Sequence, residues 1–194
     1  MSDAYVYPNT DVLRNKLDIR DGTKLQRIEA DLCYLRSLRL SSRPIPGEYD
    51  LVHLQAFHRY LFEGLYEWAG ELRTVPLAKT DLFCLPEHIE SYGNEIFGAL
   101  ADEQHLADLD REAFVDRLTH YLAEVNALHP FREGNGRTQR AFFAQLATNA
   151  GYRLDWQLID PQQNVDASAA AMQGDERPLR RLLDLATVIE AAPS

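Results

Sequence analysis

The sequence is poor in cysteine: Cys33 and Cys84 are its only two, and neither lies in a zinc-type Cys/His spacing. A disulfide-built scaffold and a structural zinc site are excluded, and a reducing cytoplasm is the expected home. No apolar stretch approaches the roughly 20 residues of a membrane-spanning helix, so no membrane partner is expected. Met1 to Arg14 is polar and lacks the charged-then-apolar layout of a signal peptide. Internal repeats, low-complexity tracts and linkers are also missing. Positive charge is scarce, with 20 Lys and Arg against 30 Asp and Glu and a formal net charge of −10. That balance argues against a direct hold on nucleic acid, yet leaves room for a small basic pocket.

What is present fits one domain spanning residues 1–194, with 45% hydrophobic residues to build a core. Leu25, Ile28, Leu32, Leu35 and Leu38 predict an amphipathic helix over 21–40 with those side chains inward. The breaker-rich stretch Ser41 to Gly47 reads as a loop, after which Asp50 caps a helix through Leu54, Phe57, His58 and Leu61. Glu71 to Phe83 changes character. Leu72, Thr74 and Val75, a break at Pro76, and Thr80 to Leu85 read as two short strands or a hairpin. Pro86 opens a helix towards Leu100, and Asp110 caps another with Phe114, Leu118, Tyr121, Leu122 and Val125 inward. Pro130 stops it. A helix from about Asn135 carries Phe142, Phe143, Leu146 and Ala147 inward, and Asp160-Pro161 and Asp175 to Pro178 start two more. The fold class is mostly α, a helical bundle with a short β-hairpin.

The chemistry concentrates between two of these helices, in His129-Pro-Phe-Arg-Glu-Gly-Asn-Gly-Arg-Thr-Gln-Arg140. Arg132, Arg137 and Arg140 lie within nine residues, so local charge runs against the global charge. Gly134 and Gly136 permit backbone angles that let successive N–H groups converge on one anion, and the following helix adds its N-terminal positive end. Arg137 and Arg140, three apart, fork around phosphate oxygens. Glu133 is a hard oxygen ligand for magnesium, and His129 accepts a proton near neutral pH. Together they make the parts of a phosphoryl- or nucleotidyl-transfer site. The loop is neither a Walker A nor a dinucleotide fingerprint.

The run His129-Pro130-Phe131-x-Glu133-Gly134-Asn135-Gly136-Arg137-x-x-Arg140 resembles the signature of the Fic family at every specified position. Upstream, Tyr66 to Arg73 followed by Lys79 and Phe83 is similar to that family's flap hairpin, and the helical pattern over roughly 50–190 fits its core, with 1–49 as an N-terminal helical extension. The resemblance implies a protein adenylyltransferase that moves AMP from ATP to a Ser, Thr or Tyr hydroxyl and releases pyrophosphate. His129 would be the general base and Glu133 the Mg2+ ligand. Gly134, Asn135 and Gly136 would cradle the α- and β-phosphates, Arg137 would bind near the β-phosphate, and Arg140 would hold the γ-phosphate. The flap, about Leu72 to Phe83, would dock the target protein by strand addition, with Arg73, Lys79 and Phe83 as its marked residues.

Family members often carry an inhibitory Ser/Thr-x-x-x-Glu-Gly/Asn motif whose glutamate competes for the second arginine. Here only Ser91-Tyr-Gly-Asn-Glu95 places a glutamate four residues on, and Ile96 follows it. The motif is absent, so the resemblance points to a toxin restrained by a separate antitoxin that supplies the glutamate, with a type II topoisomerase as a candidate target. Rival readings are transfer of another group (another nucleotide monophosphate, phosphocholine or phosphate) and a non-catalytic ATP-binding interaction module. The complete Gly-Asn-Gly-Arg-x-x-Arg run counts against the first, and His129, which binding alone does not need, against the second.

Bland roles fit the remaining conspicuous residues. His53, His58, His88, His105 and His120 read as surface or satisfied core, Trp68 and Trp156 as packing, and Glu95 as a solvated helix residue. Arg73 reads equally well as a tie for the flap. The adenine pocket is expected after the motif, within Asp160 to Ala171.

Overall fold

A computed structural model describes residues 3–78 and 82–189. Among the described residues seven α-helices run in the order α1 (Gly22–Leu40), α2 (Leu51–Phe62), α3 (Ile89–Asp102), α4 (Arg111–Leu128), α5 (Asn135–Asn149), α6 (Pro161–Met172) and α7 (Arg177–Ala186). None of them is long and apolar enough to cross a membrane. The caps are where the sequence places them. Asp21, Asp50, Asp110 and Asp160 each accept a hydrogen bond from a first-turn N–H of α1, α2, α4 and α6. Pro86 opens a short 3-10 turn that runs into α3.

The main core gathers Leu54, Phe57, Phe97, Phe114, Leu118, Val125, Phe142 and Phe143 from α2 to α5. A second core lies under α1, where Cys33 meets Leu61, Phe62, Leu65, Tyr66 and Ala69. Both cysteines are free.

One expectation needs correction. The buried residues of α1 are Leu25, Glu29 and Cys33, while Leu35 and Leu38 are 60% and 55% exposed. The leucines step by 3, 4, 3 and 3 residues, short of the helical repeat, so they wind around the cylinder and Leu38 sits roughly 140° from Leu25. In the flap, Ala78 and Leu82 form an antiparallel bridge and the Phe83 N–H donates to the Leu77 carbonyl at 3.1 Å, the pairing of a short hairpin whose residues 79–81 lie outside the described residues. Among the described residues the regular sheet is elsewhere: β1 (Tyr152–Leu154) pairs antiparallel with β2 (Thr187–Ile189), Arg153 opposite Val188. It sews the chain after α5 to the end of α7.

Candidate active site

The site is built where α4 stops and α5 begins. His129 caps α4 in the left-handed conformation (φ 44°, ψ 58°), its N–H donating to the Val125 carbonyl at 3.1 Å. The helix reverses there and Pro130 prevents its resumption. Phe131 buries its ring, and the Asn135 side chain closes the loop on it, Oδ1 accepting from the Phe131 N–H (2.9 Å) and Nδ2 donating to its carbonyl (2.7 Å). Gly134 then turns into α5 at φ 81°, and a Cβ there would lie 2.3 Å from the Phe62 ring. Only glycine meets both demands. No side chain caps α5, so the N–H groups of its first turn, Asn135, Gly136 and Arg137, present the positive helix end.

His129 is 9% exposed, and its ring stacks on Phe83 with centroids 3.8 Å apart and planes 12° from parallel. Its Nδ1 lies 3.3 Å from the Asn126 carbonyl. His129, Phe83, Gly136 and Arg140 share one cleft with Trp156 and with Asn164, Val165 and Ser168 of α6. The stretch expected to hold the adenine pocket therefore faces the motif, joined by Leu122, Asn126, Gln139 and Trp156, which no local pattern had marked. The Trp156 indole N–H donates to the Arg140 carbonyl at 3.1 Å.

The arginines part ways. Arg140 has no carboxylate partner among the described residues, and burial, then the neighbouring Arg137 charge, pulls its pKa below the usual arginine value. Glu95 is exposed on α3 and pairs with nothing at the site. Arg137 lies over the Phe62 ring, 5.0 Å from its centroid, and gives Nη2 to Glu29 of α1 and, at 3.2 Å, to Glu133. Burial works against its charge, but the carboxylates led by Glu29 outweigh that and raise its pKa. Arg132 leaves the pocket, forking onto Asp3 at 2.7 and 3.0 Å, so the basic cluster is two arginines rather than three. Glu133 keeps a half-exposed carboxylate whose Oε1 accepts from the Gly134 N–H at 2.8 Å. Among the described residues no group of three or more His, Cys, Asp or Glu side chains stands ready for a metal. A lone carboxylate beside an anion cradle matches magnesium, which takes one or two carboxylates and completes its shell with phosphate and water.

The marked flap residues fall differently. Lys79 lies outside the described residues. Arg73 is 2% exposed and is not a surface contact for a docked protein. Its guanidinium donates to the carbonyls of His129 (2.7 Å), Val75 (2.9 Å), Cys84 and Leu128, and its own N–H to Pro130 (2.9 Å). Both ends of the flap thus hang from the loop that holds His129. Phe83, 5% exposed, likewise packs inward on His129.

His58 is the residue for which no local signal existed. Its Nδ1 accepts from the Gly70 N–H at 2.8 Å, so the ring is the Nε2–H tautomer, donating to the Glu133 carbonyl at 3.0 Å. It stacks on Phe131, centroids 3.9 Å apart. Full burial drives its pKa down to about 4, and the ring is neutral.

The comparisons agree with this geometry. The Fic/DOC family model matches residues 48–147. Protein adenylyltransferase VbhT of Bartonella schoenbuchensis is 43% identical over 183 residues, 94% of this chain but 38% of its own length. The probable protein adenylyltransferase Fic of Escherichia coli is 39% identical over 93% of this chain and 90% of its own. The BepC protein of Bartonella tribocorum, solved with bound AMPPNP, superposes with a TM-score of 0.90 at 25% identity, covering 96% of this chain and 97% of that one. A Fic domain from Bartonella quintana with bound ADP does so with a TM-score of 0.90 at 28% identity, covering 96% and 95%. With the family match spanning over half the sequence and its motif folded into one cleft, this chain belongs to the Fic/DOC family.

Proposed function

We propose that this chain is a nucleotidyltransferase that moves AMP from ATP to a hydroxyl side chain of a target protein and releases pyrophosphate. The observation that carries the reading is the convergence on one cleft of His129, the first turn of α5 and an Arg140 without a carboxylate partner. The names of relatives matched over nine-tenths of their length, and the AMPPNP and ADP bound to structural neighbours, support ATP as donor.

ATP would lie with its base under α6, near Asn164, Ser168 and Trp156, and its phosphates against the first turn of α5. Arg140 holds the γ-phosphate, and Arg137 the region of the β-phosphate. Those two cations fix the α-phosphorus for in-line attack. Glu133 would hold Mg2+, which neutralises charge on the leaving pyrophosphate. The Asn126 carbonyl is an acceptor only, so Nδ1 of His129 keeps its hydrogen and Nε2 is the basic nitrogen. Nε2 takes the proton of the target hydroxyl, the hydroxyl oxygen bonds to the α-phosphorus, and the bond to the β-bridging oxygen breaks. Phe83 fixes the imidazole plane from one side. Arg73 anchors the flap, whose outer edge, with Lys79, docks the target segment by main-chain pairing.

The sequence holds no inhibitory motif and, among the described residues, no carboxylate meets Arg140, which supports a toxin checked by a separate antitoxin that supplies a glutamate; the cytoplasm is its proposed location. A type II topoisomerase is the first target to test. The decisive experiment incubates the chain and His129→Ala with cytoplasmic extract, magnesium and ATP labelled at the α- or the γ-phosphate. Protein-bound label from α-labelled ATP only, lost in His129→Ala while ATP binding survives, is the expected result. Label from γ-labelled ATP only would reverse the donor orientation given to Arg140, and no label with ATP bound would favour a non-catalytic module.

A further inference from the structure

The family match begins at residue 48, so α1 lies outside it, yet α1 delivers a buried carboxylate to the first motif arginine. Glu29 is 6% exposed and divides its oxygens: Oε1 accepts from Arg137 and Oε2 from the Tyr66 hydroxyl. A buried carboxylate bonded on both oxygens fixes the direction of its donors. Arg137 is constrained on two further sides, by the Phe62 ring under its guanidinium and by Glu133 sharing Nη2. The Cys33 thiol also lies within reach of the guanidinium, while no oxygen of the described residues accepts from its Nε or Nη1. Without Glu29 the guanidinium has, among the described residues, one carboxylate left, Glu133, four residues before it in the loop ahead of α5. Closing on Glu133 would withdraw from an incoming anion both the cation and the carboxylate that would face it.

We infer that Glu29, held by Tyr66, is a positioning residue that keeps Arg137 turned towards the nucleotide phosphates, so that α1 is part of the active site. The inference rests on the nucleotide reading of the cleft and adds that the arginine's aim is set by a helix more than a hundred residues earlier in the chain. It acts through Arg137 and touches no substrate.

The test is a double-mutant cycle read by binding of a fluorescent ATP analogue with magnesium, with thermal melts to establish folding. Glu29→Gln keeps shape and removes charge; it is expected to weaken binding about tenfold in an otherwise native chain, and less than about twofold in an Arg137→Gln background. Tyr66→Phe, which spares the carboxylate, should weaken binding in the same direction by less, and Glu29→Asp should restore part of the loss. If Glu29→Gln is too unstable to titrate, Tyr66→Phe with and without Arg137→Gln carries the same comparison. Equal losses in both backgrounds, or unchanged binding in folded Glu29→Gln, overturn the inference. Coupled losses in a chain that moves no AMP would uphold it and sink the transfer reading instead. A native chain that does not bind the analogue sinks both.

Discussion

Three arginines show how one side chain is put to three uses by its surroundings. Arg73 is interior and answered only by carbonyl oxygens, so it works as a rivet between flap and loop. Arg137 is answered by carboxylates, which hold its charge and its direction. Arg140 is answered by neither among the described residues, and a bound anion would offset its cost of burial. Replacing Arg73 by Met should leave several buried carbonyls without a donor and lower stability by about 3 kcal/mol, with flap residues losing hydrogen-exchange protection first. Lysine should recover little, since one ammonium cannot reproduce a planar fork spread over separated carbonyls. Urea unfolding of the three proteins checks this; equal midpoints would mean that the carbonyls find other donors.

At the scale of elements, His58 on α2 ties two loops, taking a hydrogen from Gly70 and giving one to Glu133. The fold accepts only the neutral ring, with a pKa near 4 against an ordinary 6.5. Between those values the unfolded chain binds the proton and the folded one does not, so protons favour unfolding. The stabilisation is fully present above pH 6.5 and fades as pH falls towards 4, a loss on the order of 3 kcal/mol over the window. Unfolding free energies measured from pH 7 to 4.5 should fall more steeply for the native chain than for His58→Asn; parallel slopes would remove His58 as the cause. The helices and their caps were legible because an aspartate before an apolar stripe is a local signal, and the motif because its spacing is dense. The role of Glu29 and the bond from His58 to Glu133 were not, since the partners lie 108 and 75 residues away; Arg73 read both as a target contact and as a tie, and its burial selects the tie. The leucines of α1 misled for a related reason: a buried Glu29 paired with Tyr66 and Arg137 decides which face turns inward. The short strands β1 and β2 gain pairing only from each other, across some thirty residues, and three-residue segments carry little pattern.

For the whole molecule, α1 supplies the cover of the second core and a charge to the motif, and the 3–14 segment adds Asp3 to Arg132 and Tyr5 to Trp68 and Thr74. We propose that residues 3–47 belong to the same folding unit as the rest, in a single domain. A chain cut to 48–194 would bare Leu61, Phe62, Leu65 and Tyr66 and leave Arg137 with Glu133 as its remaining carboxylate. It should lose its cooperative thermal transition by circular dichroism and aggregate on size exclusion. A truncated chain that melts as sharply as the full one would make α1 an appendage. The two tryptophans sit beside different parts of this arrangement. Trp156 lines the cleft against Arg140, and Trp68 is stacked on Tyr66, 4.3 Å between centroids, beside the residue that holds Glu29. The protein thus carries two intrinsic optical probes, one whose emission should respond to what enters the cleft and one to whether α1 is seated, and swapping either for phenylalanine separates the two signals without adding a dye.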